Sequence, residues 1–148
     1  MFLQIAIATT LILLTIVVGA GAFWALEWLL SVRQKWLHRE PHGPKLMLVL
    51  CLSVVWTLAM MTVCVWIWAL SLYALGIFTT MEASVYFSLV AFTTLGFGDI
   101  LLPQEWRLLG GMAAANGLLN FGLLTAMLVE VMRNVRLGQR QSRTKSSS

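Results

Sequence analysis

The chain has 148 residues, of which 59% are hydrophobic and only 11% charged, with a mean hydropathy of +0.85 and a formal net charge of +4. No folded soluble domain hides so much apolar surface, so composition excludes a water-soluble globule and requires a bilayer as solvent. A membrane protein is expected, and the long apolar runs taken in order below make its expected fold class an all-α membrane protein.

The first predicted element is an apolar span from Phe2 to about Leu30, which forms an N-terminal unit at 1–32. Ala20, Gly21 and Ala22 give it an A-x-A pattern like that of a cleaved signal peptide, but its start carries no Lys or Arg. Cleavage there would also send the basic segments that follow to the outside, so a retained span is expected. A basic loop at 33–45 comes next, with Arg33, Lys35, Arg39 and Lys45. His38 and His42 stand four apart in it, a metal-like spacing. Pro41 and Pro44 interrupt any helix there, and no carboxylate–histidine constellation accompanies them, so solvated histidines and no enzyme are expected.

A second span runs from about Leu46 to Phe78 and a third from about Trp106 to Met132. Each exceeds the ~20 residues that cross ~30 Å of hydrocarbon. Together with what lies between them they form a unit at 46–132. Cys51 and Cys64 share the second span at a helical separation of roughly 20 Å, beyond disulfide reach, and are expected as buried free thiols. The stretch 80–92 is too short to span and belongs to the re-entrant class, which lipid tolerates only where protein or water shields the backbone. Thr79 followed by Glu82 predicts a capping box at its start.

The tail at 133–148 is basic, Ser-rich and without apolar period, so a disordered segment is expected, with anionic lipid as a partner for its cations. Nine Lys and Arg lie in the 33–45 loop and the tail, against Arg107 alone on the other side. This bias predicts a cytoplasmic C-terminus and an outer N-terminus, with the 80–105 segment outside. Trp24 and Trp28, Trp66 and Trp68, and Trp106 fall near span ends, as interfacial anchors do.

The short segment leads directly into Thr93, Thr94, Leu95, Gly96, Phe97, Gly98 and Asp99. A row of backbone carbonyls replaces the hydration shell of an alkali cation only if all of them point at one axis. That demands alternating backbone handedness, and Gly96 and Gly98 accept positive φ without strain. A phosphate-binding GxGxxG reading fails, because Leu101 occupies the third glycine position and no β-α-β context surrounds it.

The heptapeptide resembles the TTVGYGD signature of potassium channels, with Leu for Val and Phe for Tyr. The resemblance covers about 70–135, including Gly117 to Ala126, which is similar to the inner helix of two-span potassium channels. It implies a pore helix at 80–92, a filter at 93–99, an inner helix at 106–132 and a homotetrameric pore in the plasma membrane. K⁺ is then the transported ion, held at Thr94, Leu95, Gly96 and Phe97, with the Thr94 hydroxyl as the innermost ligand and Gly98 completing the filter. The side chains of Leu95 and Phe97 are expected to pack behind it. No cofactor and no nucleic-acid partner are implied.

Filter support falls by resemblance to Thr93, Asp99, Tyr86 and Val90. Val90 stands where some relatives have glutamate and Tyr86 where some have tryptophan, which leaves the Tyr86 hydroxyl to bond Asp99. Gly117 matches the glycine about which the inner helix bends, although a glycine there also serves close helix packing. Asn120 and Thr125 face either a water-filled cavity or another helix. Glu130 either rings the inner mouth or ends a solvated helix. No span carries arginines at every third position, so a voltage sensor of the usual kind is not expected. The same residues leave open a non-selective cation pore and a non-conducting pore-loop subunit. A carrier is disfavoured, since nothing resembles an inverted repeat.

Overall fold

The computed structural model describes residues 1–32 and 42–146. Four helices follow in chain order: α1 (Phe2–Val32), α2 (His42–Ala74), the short α3 (Met81–Phe92) and α4 (Arg107–Ser146), the last entered through a 3₁₀ turn at Gln104–Trp106. Phe2–Leu29, Met47–Ala74 and Gln104–Glu130 are long and apolar enough to cross a membrane. Helix is the form that satisfies every backbone polar group within one segment in lipid. The protein is thus an all-α membrane protein, with three helices able to span among the described residues.

Several boundaries differ from the sequence expectation. Helix α2 opens at His42, inside the loop expected at 33–45, because Pro44 falls in its first turn, where a missing N–H is tolerated. The remainder of that loop, 33–41 with Arg33, Lys35, His38 and Arg39, lies outside the described residues. At the other end α2 stops at Ala74 rather than Phe78, because Gly76 takes φ +68. Its N–H donates to the Tyr73 carbonyl at 2.9 Å and the Ile77 N–H to that of Leu72 at 3.2 Å, the two bonds of a Schellman closure.

Helix α4 continues to Ser146, where a disordered tail was expected from Arg133. Residues 133–146 contain no proline and are rich in Arg, Gln and other good helix formers. A Glu130–Arg133 ion pair at 2.9 Å bridges the turn across the expected boundary.

Helices α1 and α4 run parallel in a constant register. The Gln4 side-chain amide donates to the Glu105 carbonyl, Thr15 meets Asn116, and Leu26 packs with Leu124 and Met127. The buried stripe of α1 is Ala8, Leu11, Thr15, Gly19, Ala22 and Leu26, at spacings of three and four. On α4 the facing stripe includes Leu109, Ala113, Asn116, Asn120, Leu124 and Met127. Small residues in such seams let helices approach where lipid supplies no hydrophobic drive.

Helix α2 lies across both, its Cys64, Val65, Trp68 and Leu72 sharing one core with Phe92, Leu102 and Leu109. Both cysteines are free, but only Cys64 is buried; Cys51 corrects the expectation by lying exposed on the outward face of α2. This packing places the N-terminus at the same end of the bundle as Glu105.

Candidate pore and filter

Helix α3 begins one residue later than expected, so its cap differs. Thr80, not Thr79, accepts a hydrogen bond from the Ala83 N–H at 3.3 Å, since Ala83 is the third helical residue. Glu82 remains in the first turn, where a carboxylate suits the positive end of the dipole. Ser84, Ser88 and Phe92, four apart, are buried along one face of α3. The rings of Phe78 and Phe87 meet at 5.4 Å and tie the middle of α3 to the loop leaving α2.

The lower end of α3 is set by Gly117. A methyl group at Gly117 would overlap the Phe92 carbonyl oxygen and lie 2.6 Å from both the carbonyl carbon and Cα of Phe92. Gly117 is ten residues into α4, about 15 Å of rise, or roughly half of a ~30 Å hydrocarbon layer. Helix α3 therefore enters from the Glu105 end and stops near mid-depth. Of the two roles weighed for Gly117, the close-packing one is present in the geometry.

At that depth α3 closes with a second Schellman motif. Thr93 caps it, the Thr94 N–H donates to the Ala91 carbonyl at 2.9 Å, and the Leu95 N–H donates to that of Val90 at 3.1 Å. Thr94 takes the left-handed position with φ +57. Gly96 follows at +58 and Gly98 at +79, so every second residue from 94 to 98 is left-handed. The glycines were expected there; Thr94 was not. A β-branched residue in this region is an outlier, and only its place just past a helix end signals it in sequence.

The two threonine hydroxyls behave differently. That of Thr93 donates back to the Leu89 carbonyl at 2.9 Å and reaches the Val90 carbonyl at 3.3 Å. That of Thr94 has no partner among the described residues and is exposed. Leu95 and Phe97 are 57% and 67% exposed, so the packing expected behind the filter is not made within one chain. Their own α3 packs instead against α2 and α4.

Asp99 is tied to α3 by the Tyr86 hydroxyl, which donates to its Oδ2 at 2.5 Å. This bond, aided by backbone N–H groups at Ile100 and at Asp99 itself, holds the Asp99 carboxyl below its ordinary pKa. The same bond pushes the Tyr86 hydroxyl above its ordinary value, because the proton it shares is needed by the carboxylate. The Tyr86–Asp99 contact fastens the outer end of the 93–99 segment as the Schellman bonds fasten the inner one.

Residues of α4 divide by face. Asn120, weighed as a cavity residue, is 2% exposed: its amide donates to the Asn116 carbonyl at 2.9 Å and to Asn116 Oδ1 at 2.8 Å, while Cys64 Sγ approaches its Oδ1 at 4.0 Å. Partners in the bundle take the place of cavity water, which corrects the cavity assignment. Thr125 is exposed, its hydroxyl bonded to the Phe121 carbonyl of the preceding turn at 2.8 Å. Glu130 is paired with Arg133, which offsets the charge it was expected to bring to an inner mouth. Asn116 and Thr15 escaped the sequence reading, as nothing local marks two polar residues 101 apart as partners.

Residues 47–134, from α2 through the apolar part of α4, match the family described as ion channels. Comparisons with curated proteins and with solved structures gave no match.

Proposed function

The chain belongs to the ion channel family, and from that premise we propose that four copies surround a central pore which passes K⁺ in preference to Na⁺. The observation that carries this reading is the alternation of handedness at Thr94, Gly96 and Gly98 immediately after the mid-depth end of α3. A strand with that alternation turns successive carbonyls to one side, and four strands around an axis make rings of oxygen that replace the ion's water. Thr94, Leu95, Gly96 and Phe97 supply the carbonyls, and the unpartnered Thr94 hydroxyl supplies the innermost ring.

Tetramer formation also accounts for Leu95 and Phe97, whose exposed side chains a neighbouring copy covers. Four α3 C-termini then converge below the filter, each with about half a negative charge, and favour a cation in the cavity. Thr125 on the exposed face of α4 lines that cavity, and α4 bends at or near Gly117 to open it. The nine-to-one bias of basic residues orients the chain in the plasma membrane with the N-terminus outside and the C-terminus cytoplasmic, where the basic tail meets anionic lipid.

Flux from vesicles tests the reading. Purified protein in liposomes loaded with K⁺ is expected to collapse a K⁺ gradient and leave an equal Na⁺ gradient standing. Equal loss of both gradients makes the pore non-selective, and retention of both makes the chain a non-conducting subunit.

A further inference from the structure

Helix α1 lies outside the segment that matches the ion channel family, yet it is fastened to α4 by the most completely buried polar contact between two helices of the bundle. Thr15 is 0% exposed and Asn116 1%. The Thr15 hydroxyl lies 3.1 Å from Asn116 Oδ1, and the Asn116 amide nitrogen donates to the Thr15 hydroxyl oxygen at 2.9 Å. The Asn120 amide completes the group by donating to Asn116 Oδ1 at 2.8 Å. The Thr15 hydroxyl also lies 2.9 Å from the Ile12 carbonyl of its own helix, so what a slip of α1 on α4 removes is the acceptor of the Asn116 amide, a buried donor left unpaired in an apolar interior, and this favours one register and rotation.

What Asn116 is next to gives this pair a consequence. Gly117, the following residue, bears directly on the backbone of Phe92, with no space for even a methyl group between them. Two residues beyond Phe92 stands Thr94, the first left-handed residue of the proposed filter. One turn of α4 therefore touches α1 on one face and the base of the filter strand on another. A rotation of α4 that breaks the Thr15 contact moves the surface on which Phe92 rests.

We propose that α1 is a brace for the filter and that Thr15 is a positioning residue acting through Asn116 and Gly117 on the Phe92–Thr94 backbone. The first span then controls how the pore conducts without lining it. This inference rests on the channel reading for its electrical consequence but not for its structural one, so the two are tested separately.

The experiment uses the full-length chain with Thr15→Val, which keeps shape and removes the hydrogen bond, and Thr15→Ser, which keeps the hydroxyl. The readout independent of current is amide hydrogen exchange of the 93–99 segment in purified, membrane-reconstituted protein. Thr15→Val is expected to speed exchange there by about three- to twenty-fold, the span set by one interhelical hydrogen bond in a membrane protein, and Thr15→Ser to return it to within about twofold. In planar bilayers the open probability or the K⁺ over Na⁺ preference is expected to shift in Thr15→Val and recover in Thr15→Ser.

Unchanged exchange at 93–99 in Thr15→Val overturns the brace, whatever the currents. Faster exchange spread evenly over α1, α2 and α4 also overturns it, as that reports general loosening. Faster exchange confined to 93–99 in a protein that carries no current supports the brace while the channel reading fails.

Discussion

Helices α2 and α3 close with the same pair of backbone hydrogen bonds, but one closure turns on Gly76 and the other on Thr94. At Gly76 the left-handed conformation carries no steric penalty, and a methyl group there would meet nothing within 4 Å. At Thr94 the same conformation costs roughly 1–2 kcal/mol for a residue with a side chain, and the helix it ends is pressed against Gly117. An ordinary turn uses the residue that makes it easy. A strained turn persists where the surroundings over-determine it and where the side chain has work to do, and here the side chain carries the exposed hydroxyl of the proposed innermost ion site.

The comparison breaks most severely at the clamp. Gly117→Ala forces a carbon into the Phe92 backbone, so it is expected to cost about 1–3 kcal/mol or more of fold stability and to abolish selective flux. Gly122→Ala, also on α4, meets nothing within 4 Å in the single chain and should leave helix content and the monomer fold unchanged. Thermal unfolding and vesicle flux of the pair measure the difference. A tolerated Gly117→Ala would remove the argument that α4 sets the depth of α3.

Exchanging the residues at the two closures gives opposite signs. Thr94→Gly relieves the left-handed strain and should stabilise the fold by up to about 1 kcal/mol, the relief being partly offset by the greater unfolded freedom of glycine. It should also lower the K⁺ over Na⁺ permeability ratio by removing the hydroxyl ring. Gly76→Ala should cost about 1 kcal/mol and leave permeation as it was. Chemical denaturation paired with bilayer recordings reads both signs in one set of variants.

These contrasts also show what was legible in the chain before folding. Apolar length identified the three long apolar helices because the bilayer constrains composition directly, and the Gly96–Gly98 spacing marked the positive-φ positions of the proposed filter because few residues accept that backbone. The pairing of Tyr86 with Asp99 was readable from their places around that motif. Thr94 was not, since its side chain argues against the conformation it adopts. The register of α1 on α4 was equally hidden: Thr15 and Asn116 reveal themselves only once two helices lie side by side. Asn120 stayed open between a cavity and a helix contact for the same reason, as an amide in an apolar helix reads alike whether water or protein satisfies it; in the fold its amide bonds Asn116 of its own helix.

A milder perturbation acts on the seam behind the clamp. Asn116→Leu removes the partner of Thr15 and of Asn120 together, and at about 0.6 kcal/mol per interhelical bond, with a ceiling near 1.7, a loss of roughly 1–2 kcal/mol is expected in thermal unfolding. A gain in stability would mean that the polar pair serves register alone.

The smallest effect is read by pH at the Asp99 end of the proposed filter. Because the Asp99 carboxyl is held below its ordinary value, the stabilisation from its bond to Tyr86 is present at neutral pH and lost as pH falls through that lowered value. The Tyr86 hydroxyl is held above its ordinary value, so its contribution is complete below the ordinary tyrosine range and lost only as pH rises through the higher one. Selectivity should therefore stay flat from about pH 5 to 9. In Tyr86→Phe the acid limb should move to higher pH, and selectivity titrated with pH in bilayers checks the direction.

The central claim is that the 93–99 segment, with its alternating backbone, is a K⁺-selective filter. Gly96 offers the cleanest probe, since its φ is +58 and an added Cβ would touch nothing within 4 Å in the single chain, so an alanine there disturbs handedness and not the packing of the monomer. The decisive measurement is the reversal potential of purified protein in a bilayer with K⁺ on one side and Na⁺ on the other, for the native chain and for Gly96→Ala. Reversal near the K⁺ equilibrium potential in the native chain, lost in the variant, is the predicted result. Reversal near zero in the native chain, or an unaltered potential in Gly96→Ala, would contradict the account.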